Sequence, residues 1–136
     1  ILGNNGEEFK SFNSQDGMGL KLLQTKDINT AIITGRSSQI VKRRAEELDI
    51  KEVHQGIKNK LNIFKYLLDK FGLHPSEVSY IGDDINDLAV LKRAGLSFTV
   101  QNGVDKVKNE VDYVSKKRGG NGALREVIEI ILNSKK

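Results

Sequence analysis

Tyr80-Ile81-Gly82-Asp83-Asp84-Ile85-Asn86-Asp87 decides how this chain is read. Val78 to Ile81 is a short, mostly apolar run of buried-strand character, and it stops at a glycine. Three carboxylates follow within five residues, at Asp83, Asp84 and Asp87. Ile85, Leu88, Ala89 and Leu91 then recur at near-helical spacing, which predicts an amphipathic helix directly after the acids. An open α/β sheet places its site at the carboxyl ends of its strands, where such acids would lie. If the turn curls straight into a helix, Asp83 and Asp87, four apart, lean towards one point. Hard carboxylate oxygens in that arrangement suit magnesium. Helix capping by Asp84 or Asn86 accounts for one polar group, and three acids at one strand end exceed what capping needs.

A chain of 136 residues is expected to form one domain around a single core. Its 38% apolar and 29% charged content is that of an ordinary soluble globular chain. No run approaches transmembrane length and no secretory pattern is present, so a cytoplasmic protein without a membrane partner is expected. Cysteine is absent, which excludes disulfide and thiol chemistry. The net charge of +4 comes from 22 basic and 18 acidic residues. These are spread along the chain, and only Lys42-Arg43-Arg44 and Lys116-Lys117-Arg118 form basic triplets. With no tryptophan and few tyrosines and phenylalanines there is no stacking platform for bases, which weighs against a nucleic-acid partner. A phosphorylated small molecule fits the charge better.

Along the chain, Gly3-Asn4-Asn5-Gly6 is a turn signal, and residues 1–12 read as part of a β-hairpin flap. Asp16 is expected to cap a first helix carrying Leu20, Leu22 and Leu23. Ala31-Ile32-Ile33 is a buried strand that ends in Thr34-Gly35-Arg36. Ser37 or Ser38 caps the next helix, with Ile40, Val41, Ala45 and Leu48 inward. Glu52 to His54 is a weak strand, and Asn59-Lys60 opens a helix with Leu61, Phe64, Leu67, Leu68 and Phe71 inward and Gly72 as its stop. Strands follow at Ser97–Val100 and Val111–Val114, with a small helix at Val104–Lys108 between them. The last helix spans Ala123–Leu132. Strands alternating with helices predict a mainly parallel sheet covered on both sides.

Several strand ends thus carry reactive groups. The Thr34 hydroxyl and the amides around Gly35 can meet an anion near a helix start. Lys60 can neutralise phosphate oxygens, and Asp83 and Asp87 can hold a metal, which together form the cradle that phosphoryl transfer needs. Taken singly, Thr34 is a hydroxyl bonded to its own backbone, and Lys60 and Arg36 are surface charges. Their joint order sets them apart.

That order has a counterpart. Ile33-Thr34-Gly35-Arg36, then Gln55-Gly56 with Asn59-Lys60, then Gly82 to Asp87 resemble the second, third and fourth motifs of the haloacid dehalogenase superfamily. Phe12-Asn13 with Asp16-Gly17, and Gly119-Gly120-Asn121-Gly122-Ala123-Leu124-Arg125-Glu126, are similar to flanking motifs of one branch. That branch hydrolyses the 8-phosphate of 3-deoxy-D-manno-octulosonate or the 9-phosphate of nine-carbon, sialic-type sugar acids. The resemblance covers essentially the whole chain. It implies a Rossmann-like three-layer α/β sandwich without a large cap domain. It also implies a Mg²⁺-dependent phosphomonoesterase of lipopolysaccharide biosynthesis that works through an aspartyl-phosphate.

By the same resemblance Thr34 binds the phosphoryl group, Lys60 holds it and the nucleophile, and Asp83 ligates magnesium. Asp87 supports that site from behind or through water. Arg36 and Arg44 match arginines that contact the sugar acid, whose carboxylate suits a guanidinium fork. A homotetramer is implied, in which the Gly3–Phe12 hairpin and the C-terminal segment of a neighbour close the site. Gln15 departs from the family's arginine, which removes one positive contact to the sugar acid. The eight-carbon substrate is the first expectation and the nine-carbon one the alternative.

The family's first motif, an Asp-x-Asp at the end of the first strand, occurs nowhere in the sequence. In this fold that strand lies between the Ala31–Ile33 and Val78–Ile81 strands. Without it, two rows of backbone donors and acceptors stand open, at about 1–3 kcal/mol for each unsatisfied group. The expectation is therefore an N-terminally incomplete domain whose nucleophile lies upstream of Ile1. The alternative is a non-catalytic binding or assembly module that keeps the phosphate and metal cradle.

Overall fold

A computed structural model describes residues 12–134. Ala31–Ile33 (β1) and Glu52–His54 (β2) pair in parallel, with Ile33 opposite His54. Ser79–Ile81 (β3), Leu96–Thr99 (β4) and Tyr113–Val114 (β5) form a second parallel ladder in that order, with Ile81 opposite Phe98 and Thr99 opposite Val114. Parallel neighbours require crossovers, and helices supply them. Ser14–Thr25 (α1) precedes β1, Gln39–Glu47 (α2) links β1 to β2, and Lys60–Phe71 (α3) lies between the two ladders in sequence. Leu88–Leu91 (α4) links β3 to β4, Asp105–Lys108 (α5) links β4 to β5, and Ala123–Ser134 (α6) follows β5. The result is a mixed α/β fold with open parallel sheets and no large cap among the described residues.

Each ladder has its own apolar packing. Phe98 and Thr99 of β4 are fully buried, together with Val90 and Leu91 of α4, Val107 of α5 and Ile128 of α6. Around β1 and β2, the core is Ala45, Leu48 and Ile50, backed by Leu20, Ile32 and Val53. Between the ladders the sheet is interrupted. Among the described residues, β1 and β3 each keep one edge without a strand partner. The slot between them encloses about 480 Å³ and is lined by Thr30 and Ala31 on one side and Val78 to Ile81 on the other, with Leu23 of α1 and Val127, Ile128 and Ile131 of α6 among its walls.

Several expectations change. Ala31–Ile33 is a strand, but Ala31 is exposed and its neighbours half-buried, because β1 borders the slot. Asn13, rather than Asp16, caps α1, accepting from the amides of Gln15 and Asp16 at 2.9 and 3.2 Å. Asp16 instead accepts from the Arg125 amide at 3.0 Å and so caps the start of α6. The predicted amphipathic helix after the acids is a 3-10 turn over Ile85–Asp87 followed by the single turn of α4. Ile85 points outward at 57% exposure while Val90 takes the inward place. Phe71 is exposed, since Gly72 ends α3 beside it with a left-handed φ of 63°. The hairpin expected over Gly3–Phe12 lies outside the described residues except for Phe12.

Candidate active site

Three loops leave the carboxyl ends of the strands. After β1, the Thr34 amide extends the ladder by donating to the His54 carbonyl at 2.9 Å. The Thr34 hydroxyl oxygen accepts from the Arg36 amide at 3.3 Å, which leaves its O–H as a donor. After β2, the Ile57 amide donates to the Thr34 carbonyl at 3.0 Å and the Gly56 amide to the Arg36 carbonyl at 3.1 Å. Gly56 sits at φ +67°, a conformation that admits glycine readily. The Gln55 side chain accepts from the Ser38 amide at 2.7 Å, and Ser38 in turn caps α2. The first two loops are therefore stitched together, and they deliver Lys60 at the first turn of α3, behind its cap Asn59.

The third loop is the acid turn. Asp87 is 2% exposed, and both of its oxygens are engaged. Its Oδ1 accepts from Lys60 Nζ at 2.8 Å and from the Tyr80 hydroxyl at 2.7 Å. Its Oδ2 accepts from the amides of Asp83 and Asp84 at 3.1 and 3.3 Å. Gly82 makes the turn possible, because a Cβ there would come within 2.5 Å of the Asp87 side chain. Asp84 caps the 3-10 turn by accepting from the Ile85 amide at 2.7 Å. Burial, and next the hydrogen bond to Asp87, push the Tyr80 phenol far above the usual tyrosine range, so it stays a donor.

The sequence expectation that Asp83 and Asp87 lean towards one point is thus corrected. The Asp87 carboxylate turns back into its own loop and holds Lys60. Asp83 remains exposed, and no hydrogen bond among the described residues uses its carboxylate. Among the described residues no group of three or more His, Asp or Glu side chains could hold a metal. One hard, exposed carboxylate fits a magnesium ion that takes its other ligands from water and phosphate oxygens, the usual arrangement for this cation.

Thr34, Gly35, Lys60, Asp83 and Asp87 therefore lie on one continuous set of bonded loops. Arg36 is exposed on the same loop as Thr34. Arg44 is held elsewhere, its guanidinium 5.5 Å from the Phe12 ring centroid, 3.2 Å from Glu47 and against Gly17. Two residues quoted in the sequence reading were given no role there. Gln55 ties the second loop to the first, and Tyr80 reaches Asp87 from seven residues away. A phenol in the strand just before an acid cluster was the available signal for the second.

An open parallel α/β fold with acids, a lysine and a hydroxyl at its strand ends defines a phosphate-handling hydrolase scaffold. The chain belongs to the haloacid dehalogenase-like hydrolases, whose family profile matches residues 52–127. It is 44% identical over 131 residues to the 3-deoxy-D-manno-octulosonate 8-phosphate phosphatase KdsC of Escherichia coli K12, covering 96% of this chain and 70% of that protein. The crystal structure of the Moraxella catarrhalis 3-deoxy-D-manno-octulosonate 8-phosphate phosphatase, in complex with magnesium ion, phosphate ion and KDO, superposes with a TM-score of 0.96 at 46% identity, over 98% of this chain and 77% of that one. The cobalt-bound phosphatase of Haemophilus influenzae gives a TM-score of 0.93 at 39% identity, over 98% and 78% of the two chains.

Proposed function

We propose that this chain carries most of a magnesium-dependent phosphatase that converts 3-deoxy-D-manno-octulosonate 8-phosphate to the free sugar acid and phosphate. One observation carries the reading: a single buried carboxylate, Asp87, bonds the Lys60 ammonium through one oxygen and the backbone of the acid turn at Asp83 through the other. That arrangement sets a fixed positive group beside a hard metal ligand, as phosphoryl transfer requires. The identity to phosphatases of the eight-carbon sugar acid supports that substrate over a nine-carbon one.

In this reading the phosphoryl group lies between the Thr34–Gly35 turn and Lys60. The Thr34 hydroxyl and the Gly35 amide donate to its oxygens, and the Lys60 ammonium balances their charge. Asp83 holds magnesium, which when bound adds further charge neutralisation. The nucleophile belongs to a strand that precedes Ile1 and fills the slot between β1 and β3, pairing with both open edges and carrying its carboxylates to the same rim. Its carboxylate attacks phosphorus and the bond from phosphorus to the sugar oxygen breaks. The sugar oxygen leaves with the electron pair and takes a proton from a neighbouring acid. Water then gives a proton back to that group and attacks phosphorus, the bond from phosphorus to the carboxylate oxygen breaks, and phosphate and the free carboxylate are released. Arg36 and Arg44 receive the sugar acid, Arg44 by swinging from Glu47. Assembly as a homotetramer in the cytoplasm completes the proposal.

Phosphate release from 3-deoxy-D-manno-octulosonate 8-phosphate, measured with this chain and with one extended upstream by the slot strand, tests it. The extended protein is expected to turn over only with magnesium, and the 136-residue chain not at all. Inactivity of the extended protein on this substrate would sink the reading.

A further inference from the structure

The geometry points to Tyr80 as a positioning residue: its hydroxyl occupies one side of Asp87 Oδ1 and thereby leaves the Lys60 ammonium free to face the phosphoryl group. The inference rests on the function proposed above for Lys60. A carboxylate oxygen offers two lone-pair directions, and a lysine ammonium carries three N–H donors. At Asp87 Oδ1 the two acceptor places are taken by the Tyr80 hydroxyl at 2.7 Å and by Lys60 Nζ at 2.8 Å. Asp87 Oδ2 is saturated by the amides of Asp83 and Asp84. Lys60 can therefore spend only one N–H on Asp87, and two remain for other acceptors.

The Lys60 side chain is 11% exposed, and among the described residues Asp87 is its hydrogen-bond partner. Remove the phenol oxygen, and the Asp87 carboxylate has a vacant acceptor place inside a buried site. The nearest cation is Lys60. Its ammonium is then drawn onto Asp87 and away from the phosphoryl oxygens. A hydrogen bond made solely to stabilise the fold would leave Lys60 where it is, whereas this one sets how the lysine's donors are shared. Tyr80 also borders the slot between β1 and β3, so the same phenol ring is expected to touch whatever strand fills it.

The test uses Tyr80→Phe in the upstream-extended protein. Two readouts need no turnover. The Lys60 ammonium resonance, in protein labelled with ¹⁵N-lysine and assigned through Lys60→Ala, is expected to move in Tyr80→Phe. Affinity for inorganic phosphate in the presence of magnesium, measured by calorimetry, is expected to fall roughly 10-fold, the loss of one hydrogen bond to a charged group. In a Lys60→Ala background the same change is expected to leave phosphate affinity unaltered. With the sugar-acid phosphate, kcat/KM is expected to drop by at least a similar factor, because the Lys60 contact is made to the phosphoryl group in both the ground and the transition state.

An unmoved Lys60 resonance, or an equal loss of phosphate affinity with and without Lys60, overturns the role assigned to Tyr80. A parent protein that does not hydrolyse the sugar-acid phosphate, yet shows the shifted resonance and the Lys60-dependent phosphate loss, sinks the proposed substrate and upholds Tyr80.

Discussion

The acid turn at residues 82–87 and the arginines at 36 and 44 are built in opposite ways. In the acid turn a buried carboxylate receives Lys60, Tyr80 and two backbone amides, and the glycine at its start leaves no room for a side chain. Arg36 is exposed, and Arg44 is held by the half-exposed Glu47 and the face of Phe12. A buried charge network has one geometry and fails as a unit, because removing one member strands the others without water. Exposed ion pairs contribute little to folding and can be broken by a ligand at small cost. In the function proposed above, the difference separates a fixed phosphate end from an adaptable sugar-acid end.

Breaking the fixed end should give the largest effect. Asp87→Ala strands Lys60 and Tyr80, and urea unfolding should show a loss of about 3 kcal/mol, of the order found when one partner of a buried pair is removed. In the extended protein the same change should abolish phosphate release.

Asp83→Asn separates chemistry from stability within the same turn. Its carboxylate makes no hydrogen bond among the described residues, so unfolding free energy should stay within about 0.5 kcal/mol. Magnesium-dependent turnover in the extended protein should nevertheless vanish; retained turnover would show that the metal ligand lies elsewhere.

Arg44→Ala probes the adaptable end. KM for the sugar-acid phosphate should rise roughly 10-fold, while a small generic phosphate ester is hydrolysed as before. Equal loss on both substrates would assign Arg44 to packing against Phe12 and Gly17.

The smallest effect is expected away from both regions, at Glu126. Burial pushes this carboxyl up, but the Lys116 amide, the Tyr113 hydroxyl and the Lys117 amide outweigh it and hold the acid below the ordinary value of 4.5. A depressed carboxyl contributes stability above that value, and the contribution is lost as pH falls through the native one. Thermal melts of wild type and Glu126→Gln should therefore differ most at neutral pH and converge below pH 4.5.

Much of this was open to reading along the chain. Gly72 ending α3, a serine at 37 or 38 capping α2, Asn59 ahead of Lys60 and the glycine before the acids all act on partners within a few residues, so spacing reveals them, and the structure selects Ser38 of the two serines. Family motifs likewise follow chain order. Local periodicity failed where burial is set from outside: Ile85 fits a helical stripe, yet it faces outward and Asp87 lies inside, because Lys60 and Tyr80 supply the donors that make a buried carboxylate tolerable.

By itself, then, the sequence determined the alternation of strands and helices, the caps and turns, and which reactive groups stand at strand ends. Tertiary structure decided how those groups are used. Asp87 meets a lysine 27 residues away and Asp16 caps a helix 109 residues away. A carboxylate's role depends on which donors reach its lone pairs and whether water can replace them, and both are properties of the folded chain.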